Sequence, residues 1–153
     1  MKKVFQRQID AGKGDCMKCV IATLLGLEYE EVPHFLEFEN PISEMVDFMA
    51  EKGFEHECLL YNYPGSEYST ISKLKDCEGI NGLFYASVFS PKYYKEENGI
   101  HGHQITHAVL INKNYEIVFD PNKNYESLEK YPAADQLGYN GIRNVYLFTK
   151  INQ

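Results

Sequence analysis

The sequence has no tryptophan, no excess of basic charge and no long apolar run, and these absences limit what the chain can do. It has 15 lysines and arginines against 22 aspartates and glutamates, a formal net charge of −7 at pH 7. The lysines are scattered, so the sequence shows no basic face of the kind that follows nucleic-acid phosphates. No apolar stretch approaches the ~20 residues of a membrane-spanning helix. We therefore expect neither nucleic acid nor a membrane as a direct partner.

Length and composition favour one globular domain over residues 1–153, with 44% hydrophobic and 24% charged residues. The first residues lack the apolar core of a secretory signal, so we expect a cytoplasmic protein. Reduced thiols are the default in that compartment, and a chain of this length needs no disulfide framework to fold. The four cysteines are Cys16, Cys19, Cys58 and Cys77.

Hydrophobic periodicity predicts two helices followed mainly by strands. The first helix spans 16–25, with Asp15 as its N-cap and Gly26 as its stop, and the second begins at Asn40-Pro41 and ends at Gly53. We expect a polar loop over 90–104, a hairpin turn over 112–114, and strands over 4–9, 55–61, 82–89, 106–111, 115–119 and 144–151. Helices first and strands later indicate an α+β fold, in which the helix bearing the first cysteine packs on an antiparallel sheet.

Three residues in this order form a candidate site for thiol chemistry. Cys16 lies in the first turn of a predicted helix, where unpaired amides and the helix dipole favour an anion such as a thiolate. His107 begins an apolar strand, and Asp120 ends the next strand of the same predicted hairpin. Hairpin partners are close in space, so the carboxylate could hold the imidazole in one tautomer. Gln6 or Gln8 could donate to an oxyanion beside the amide of the cysteine.

Each of these residues alone also has an ordinary structural explanation. A cysteine on a helix face is usually a small buried hydrophobe, and a histidine at a strand end is usually structural or solvated. An Asp-Pro pair after a strand is a common turn start. The ordered set favours catalysis, because a nucleophilic thiol, a base and a residue that orients the base are the parts of a thiol hydrolase.

The set resembles the papain-like fold of cysteine peptidases, and its compact forms above all, the NlpC-type cell-wall endopeptidases and the bacteriocin-leader-processing peptidases. Residues 14–27 and 31–35 also resemble a group of short proteins common in phage and bacterial genomes. The likeness covers roughly 4–38 and 105–122. It implies that Cys16 is the nucleophile, His107 the general base and Asp120 the residue that orients it, with no metal or organic cofactor.

In that family a glutamine before the cysteine completes the oxyanion hole. Here Asp10 stands at the usual spacing, Gln6 and Gln8 flank it, and Met17 stands where many members have an aromatic residue. The resemblance implies a cysteine-dependent hydrolase or acyltransferase that acts on an amide, peptide or related acyl bond of a peptide, protein or small molecule. The alternative is a catalytically inactive papain-like protein that binds a host factor or a small ligand.

Two other constellations compete for the same residues. Cys16 and Cys19 form a Cys-x-x-Cys pair at a helix start, which suits a dithiol redox centre, although a thioredoxin-like fold would need a strand–helix–strand unit around it. His101, His103 and His107 could form a three-histidine metal site. The second pair of close ligands typical of structural zinc is missing from the sequence.

Tyrosine is abundant, and five tyrosines fall in predicted loops, or at their edges, where they could rim a binding cleft. They are Tyr61, Tyr63, Tyr68, Tyr93 and Tyr94.

Overall fold

The computed structural model describes residues 1–8, 14–61, 68–69, 71–97, 100–122 and 142–151. The helices are α1 (Cys16–Leu25) and α2 (Pro41–Glu51), and short 3₁₀ turns lie at Tyr29–Glu31, Phe35–Glu37 and Ile71–Asp76. The strands are β1 (Phe54–Tyr61), β2 (Tyr68–Ser69), β3 (Phe84–Glu97), β4 (Ile100–Ile111), β5 (Ile117–Phe119) and β6 (Ile142–Lys150). They form one sheet in the order β2-β1-β6-β3-β4-β5, and every neighbouring pair is antiparallel. The α+β class is therefore confirmed.

Helix α1 begins and ends where its sequence predicts. Gly26 adopts a left-handed conformation with φ of 70°, which glycine reaches without steric cost. The amide of Leu27 donates to the carbonyl of Ala22 (2.9 Å), and the amide of Gly26 to that of Thr23 (3.4 Å). These two bonds form a Schellman motif that satisfies carbonyls at the helix end.

Helix α2 also follows its prediction. The side chain of Asn40 accepts a hydrogen bond from the amide of Ser43 (3.3 Å), and Pro41 occupies the first turn, where no amide donor is needed. Gly53, two residues beyond the helix, has φ of 91°. Within the described residues, no helix is long and apolar enough to cross a membrane.

The predicted N-terminal strand is wrong for the part of it that the structure describes, residues 4–8, which form no strand. Their backbone amides are bonded elsewhere. The amide of Gln6 donates to the carbonyl of Pro121 (2.9 Å), and two further amides donate to the side chain of Asp15 (3.2 and 3.1 Å). Side-chain acceptors thus replace a neighbouring strand as partners of this segment.

The predicted polar loop over 90–104 is also wrong, because β3 and β4 extend through most of it as one long hairpin. Their pairing reaches Glu97 opposite Ile100, with a register shift in the part of β3 that contains Pro91. Proline cannot donate to a strand ladder, so a shift at that position is expected. His107 consequently lies inside β4, seven residues after its first residue, and does not begin a strand.

Four of the tyrosines predicted to lie in loops belong to strands. Tyr93 and Tyr94 belong to β3, Tyr68 belongs to β2, and Tyr61 is the last residue of β1. Tyr63 lies outside the described residues.

Buried apolar side chains lie on both faces of the sheet. Along β4, Ala108 and Leu110 belong to the cluster that contains α1, while Val109 and Ile111 belong to a second cluster on the opposite side. This alternation follows from the two-residue period of a strand. Cys16 is a member of the first cluster, so the start of α1 is held against the sheet.

The hairpin turn over 112–114 forms as predicted, although β5 is shorter than expected. The side chain of Asn112 accepts hydrogen bonds from the amides of Asn114 (2.9 Å) and Glu116 (3.1 Å). Pairing then aligns Leu110 with Phe119. The turn therefore returns the chain alongside the end of β4, and the residue after Phe119 comes within hydrogen-bonding distance of His107.

We expect Asn40→Ala to lower the free energy of unfolding by about 1 kcal/mol, because the amide at the start of α2 loses its acceptor. Asn40→Asp keeps an acceptor and is the matched control, with an expected change of about 0.3 kcal/mol or less. Urea unfolding followed by circular dichroism measures both. Equal losses in the two variants would show that the side chain does not act as a cap.

Candidate active site

His107 and Asp120 are joined by a short hydrogen bond between neighbouring strands. The distance from His107 Nε2 to Asp120 Oδ1 is 2.7 Å, and the side chains are only 13% and 4% exposed. Asp120 Oδ1 also accepts a hydrogen bond from the amide of Asn122 (2.9 Å), which fixes the carboxylate independently of the ring. The aspartate thus orients the imidazole, as the predicted hairpin required.

The surroundings of His107 favour its protonated form. Burial by itself lowers the pKa of this imidazole, but its hydrogen bond to Asp120 and its electrostatic interactions with Asp120 and Cys16 outweigh that effect and raise the pKa to about 10. At neutral pH the ring is then a buried imidazolium between an aspartate and a cysteine.

Cys16 is the first residue of α1, and its side chain lies close enough to the ring of His107 to raise the pKa of that imidazole. Cys16 is 7% exposed, whereas Cys19, one helical turn later, is fully buried. The structure therefore joins His107 directly to Asp120 and places Cys16 in the buried cluster that packs on the strand carrying His107.

Sequence reasoning missed the role of Asp15, which it treated as an ordinary N-cap. The residue holds the N-cap position, but its side chain makes no hydrogen bond to α1. Its carboxylate accepts instead from the amides of Arg7 (3.2 Å) and Gln8 (3.1 Å) and from the hydroxyl of Tyr29 (2.6 Å). It is 1% exposed, and no sequence pattern distinguishes such an aspartate from a cap.

Tyr29 links this carboxylate to two cations. The guanidinium of Arg7 and the ammonium of Lys18 each lie 3.8 Å from the centre of the Tyr29 ring. Burial raises the pKa of the Tyr29 hydroxyl, and its hydrogen bond to Asp15 raises it further. The hydroxyl therefore stays protonated and acts as a donor to the carboxylate.

The two glutamines proposed for the oxyanion site lie in the segment next to Asp15. Gln6 Nε2 donates to the carbonyl of Gln8 (2.9 Å), and the buried Gln6 Oε1 has no hydrogen-bond partner among the described residues. Gln8 Oε1 lies 2.9 Å from Nε2 of His34, a histidine that carried no functional signal in the sequence. The bond to Gln8 uses one of the two hydrogens on Gln6 Nε2, and the other is available to a ligand. The side chain of Gln8 is instead held by its contact with His34. Asp10 lies outside the described residues.

The described part of the chain gives no support to a dithiol redox centre or to a metal site. All four cysteines carry free thiols, and burial raises the pKa of Cys19, which keeps that thiol protonated. In the residues that the structure describes, no three histidine, cysteine or acidic side chains are grouped to hold a metal ion. The side chains of His101 and His103 lie outside that description.

Comparisons with protein-family models, with curated proteins and with solved structures find no match to this chain. The residues and geometry of the site are therefore the basis on which a function is inferred.

We expect an NMR titration to show the ring of His107 losing its proton near pH 10, with signals assigned by comparison with His107→Gln. Asp120→Asn removes the negative partner and should lower that pKa by at least about one unit. A wild-type ring that titrates near pH 6.5 would contradict the geometry described above.

The same shift makes stability depend on pH. The folded-state pKa lies above the ~6.5 of an unfolded histidine, so protonated His107 stabilises the fold fully below about pH 6.5. That contribution is lost as the pH rises through about 10. The difference in unfolding free energy between wild type and His107→Gln should therefore shrink over this range, as urea unfolding at several pH values would measure.

Proposed function

We propose that this chain is a cysteine-dependent hydrolase or acyltransferase that acts on an amide, peptide or related acyl bond, with a papain-like arrangement of Cys16, His107 and Asp120. The observation that carries the proposal is the ring of His107, which is hydrogen-bonded to Asp120 and lies close enough to Cys16 for that side chain to raise the pKa of the ring. A thiol beside a buried imidazolium is the arrangement that activates a cysteine nucleophile.

The chemistry divides into two steps. In the first, the sulfur of Cys16 attacks the carbonyl carbon, and His107 gives its proton to the leaving amine or alcohol as the bond to it breaks. In the second, His107 takes a proton from water or another acceptor, which attacks the thioester and releases the sulfur. Asp120 keeps the ring oriented in both steps.

Charge on the carbonyl oxygen needs hydrogen-bond donors placed at the start of α1. The amide of Cys16 belongs to the first turn, where helix amides have no partner within the helix. The free hydrogen of Gln6 Nε2 is the second donor in this proposal, and Gln8 is the less suitable of the two because its side chain contacts His34. Together they would form the oxyanion site.

We expect iodoacetamide at pH 7 to modify Cys16 at least about tenfold faster than Cys58 or Cys77, because the sulfur of Cys16 lies beside the protonated ring of His107. His107→Gln should slow the modification of Cys16 by about tenfold or more, and Cys77→Ser is the matched control that should leave it unchanged. Peptide mapping by mass spectrometry measures the rate at each cysteine.

Labelling of Cys16 no faster than that of Cys58 and Cys77, and unchanged in His107→Gln, would refute an activated nucleophile. A second measurement separates catalysis from the alternative of an inactive binding protein. p-Nitrophenyl acetate should acylate wild type with release of nitrophenol, and Cys16→Ser should not react. Fast, His107-dependent alkylation without any acylation would refute the hydrolase and favour the binding protein.

A further inference from the structure

The N-terminal segment 6–8 connects the two ends of the candidate site. At one end, the amide of Gln6 donates to the carbonyl of Pro121 (2.9 Å), the residue after Asp120. At the other, the amide of Asp15 donates to the carbonyl of Gln8 (3.2 Å), and the next residue is Cys16. The segment is thus attached to the neighbours of both the nucleophile and the aspartate that orients the base.

Asp15 makes most of the attachment at the nucleophile's end. Its buried carboxylate accepts two backbone amides of the segment, while the hydroxyl of Tyr29 supplies a third donor. A buried carboxylate is costly unless such donors satisfy it, so these bonds hold the segment in one position. An aspartate that served only the helix would bond to the first amides of α1, and this one does not.

We propose that Asp15 is a positioning residue for the reaction of Cys16: it fixes segment 6–8 so that the side-chain amide of Gln6 is held as an oxyanion donor. The inference deepens the proposed function and rests on it. Gln6 is suited to this role because one hydrogen of its Nε2 is committed to the carbonyl of Gln8, which sets the direction of the other. Loss of the carboxylate would remove the acceptor of two backbone amides and leave the segment held by its backbone bonds at Pro121 and at the amide of Asp15. A donor displaced by a fraction of an ångström stabilises the oxyanion poorly.

Two reagents separate positioning from general structural support. Acylation by p-nitrophenyl acetate creates negative charge on a carbonyl oxygen, whereas alkylation by iodoacetamide displaces iodide and needs no oxyanion donor. Asp15→Asn keeps the size of the side chain but has one acceptor oxygen in place of two. We expect it to slow the acylation of Cys16 about tenfold or more, while alkylation of Cys16 stays within about twofold of wild type.

Gln6→Ala should reproduce this selective loss, because it removes the donor that Asp15 positions. Since the two residues act through one donor, the double variant should be no slower than the slower single variant, to within about twofold. Tyr29→Phe keeps the ring between its two cations and removes one donor to the carboxylate. It should slow acylation by about threefold and leave alkylation unchanged.

Several results would overturn the inference. If Asp15→Asn is acylated within twofold of the wild-type rate, or if its acylation and alkylation fall in parallel, Asp15 has a purely structural role. Additive losses in the double variant would show that it does not act through Gln6. If Asp15→Asn fails to fold, the same comparison in Tyr29→Phe and Gln6→Ala decides. Failure of the proposed function has a different signature, because wild type itself would then show no acylation that depends on Cys16 and His107.

Discussion

The pairing of β4 with β5 fixes the contact between His107 and Asp120, and the candidate site depends on it. The two residues are thirteen positions apart in sequence, yet a tight turn and antiparallel pairing bring their side chains to hydrogen-bonding distance. A protonated ring at this depth would be unstable without a negative partner. The charge state of His107 therefore depends on Asp120 as well as on the nearby Cys16. The helix that delivers the thiol reaches the ring because its apolar face packs on the same strand.

The surroundings of Asp15 show how a single buried carboxylate can organise irregular backbone. The N-terminal segment has no strand partner, and its amides would be unsatisfied without the acceptors that the helix region and Pro121 supply. Tyr29 completes the set, and Arg7 and Lys18 on its ring place positive charge near the buried carboxylate. The segment before Cys16 is therefore ordered by the carboxylate of Asp15 and by backbone bonds to Pro121 and Asp15, without pairing to a strand.

Much of the architecture was predictable because its signals are local. The limits of α1 follow from apolar spacing and from Gly26, and those of α2 from Asn40 and Pro41. The neighbourhood of His107 and Asp120 was predictable for a related reason, since a hairpin turn makes its two strands close in space. These are patterns of a few adjacent residues, and tertiary contacts did not override them.

The errors arose where long-range partners decide the outcome. Alternating residues at 4–8 predict a strand, but the amides there find Asp15 and Pro121 in place of a neighbouring strand. The polar residues near Pro91 predict a loop, but pairing between β3 and β4 continues past them. The direction of the Asp15 side chain could not be read from sequence either, because a cap and a buried acceptor use the same residue at the same position.

The turn anchored by Asn112 has a consequence for how this protein can vary. Side chains on a strand alternate between faces. If one residue were inserted into or deleted from this turn and the shift passed into β5, Asp120 would turn away from the imidazole. The sheet itself could still form. Among relatives that keep the chemistry, the length of this turn should therefore be constrained more tightly than the identity of its exposed residues.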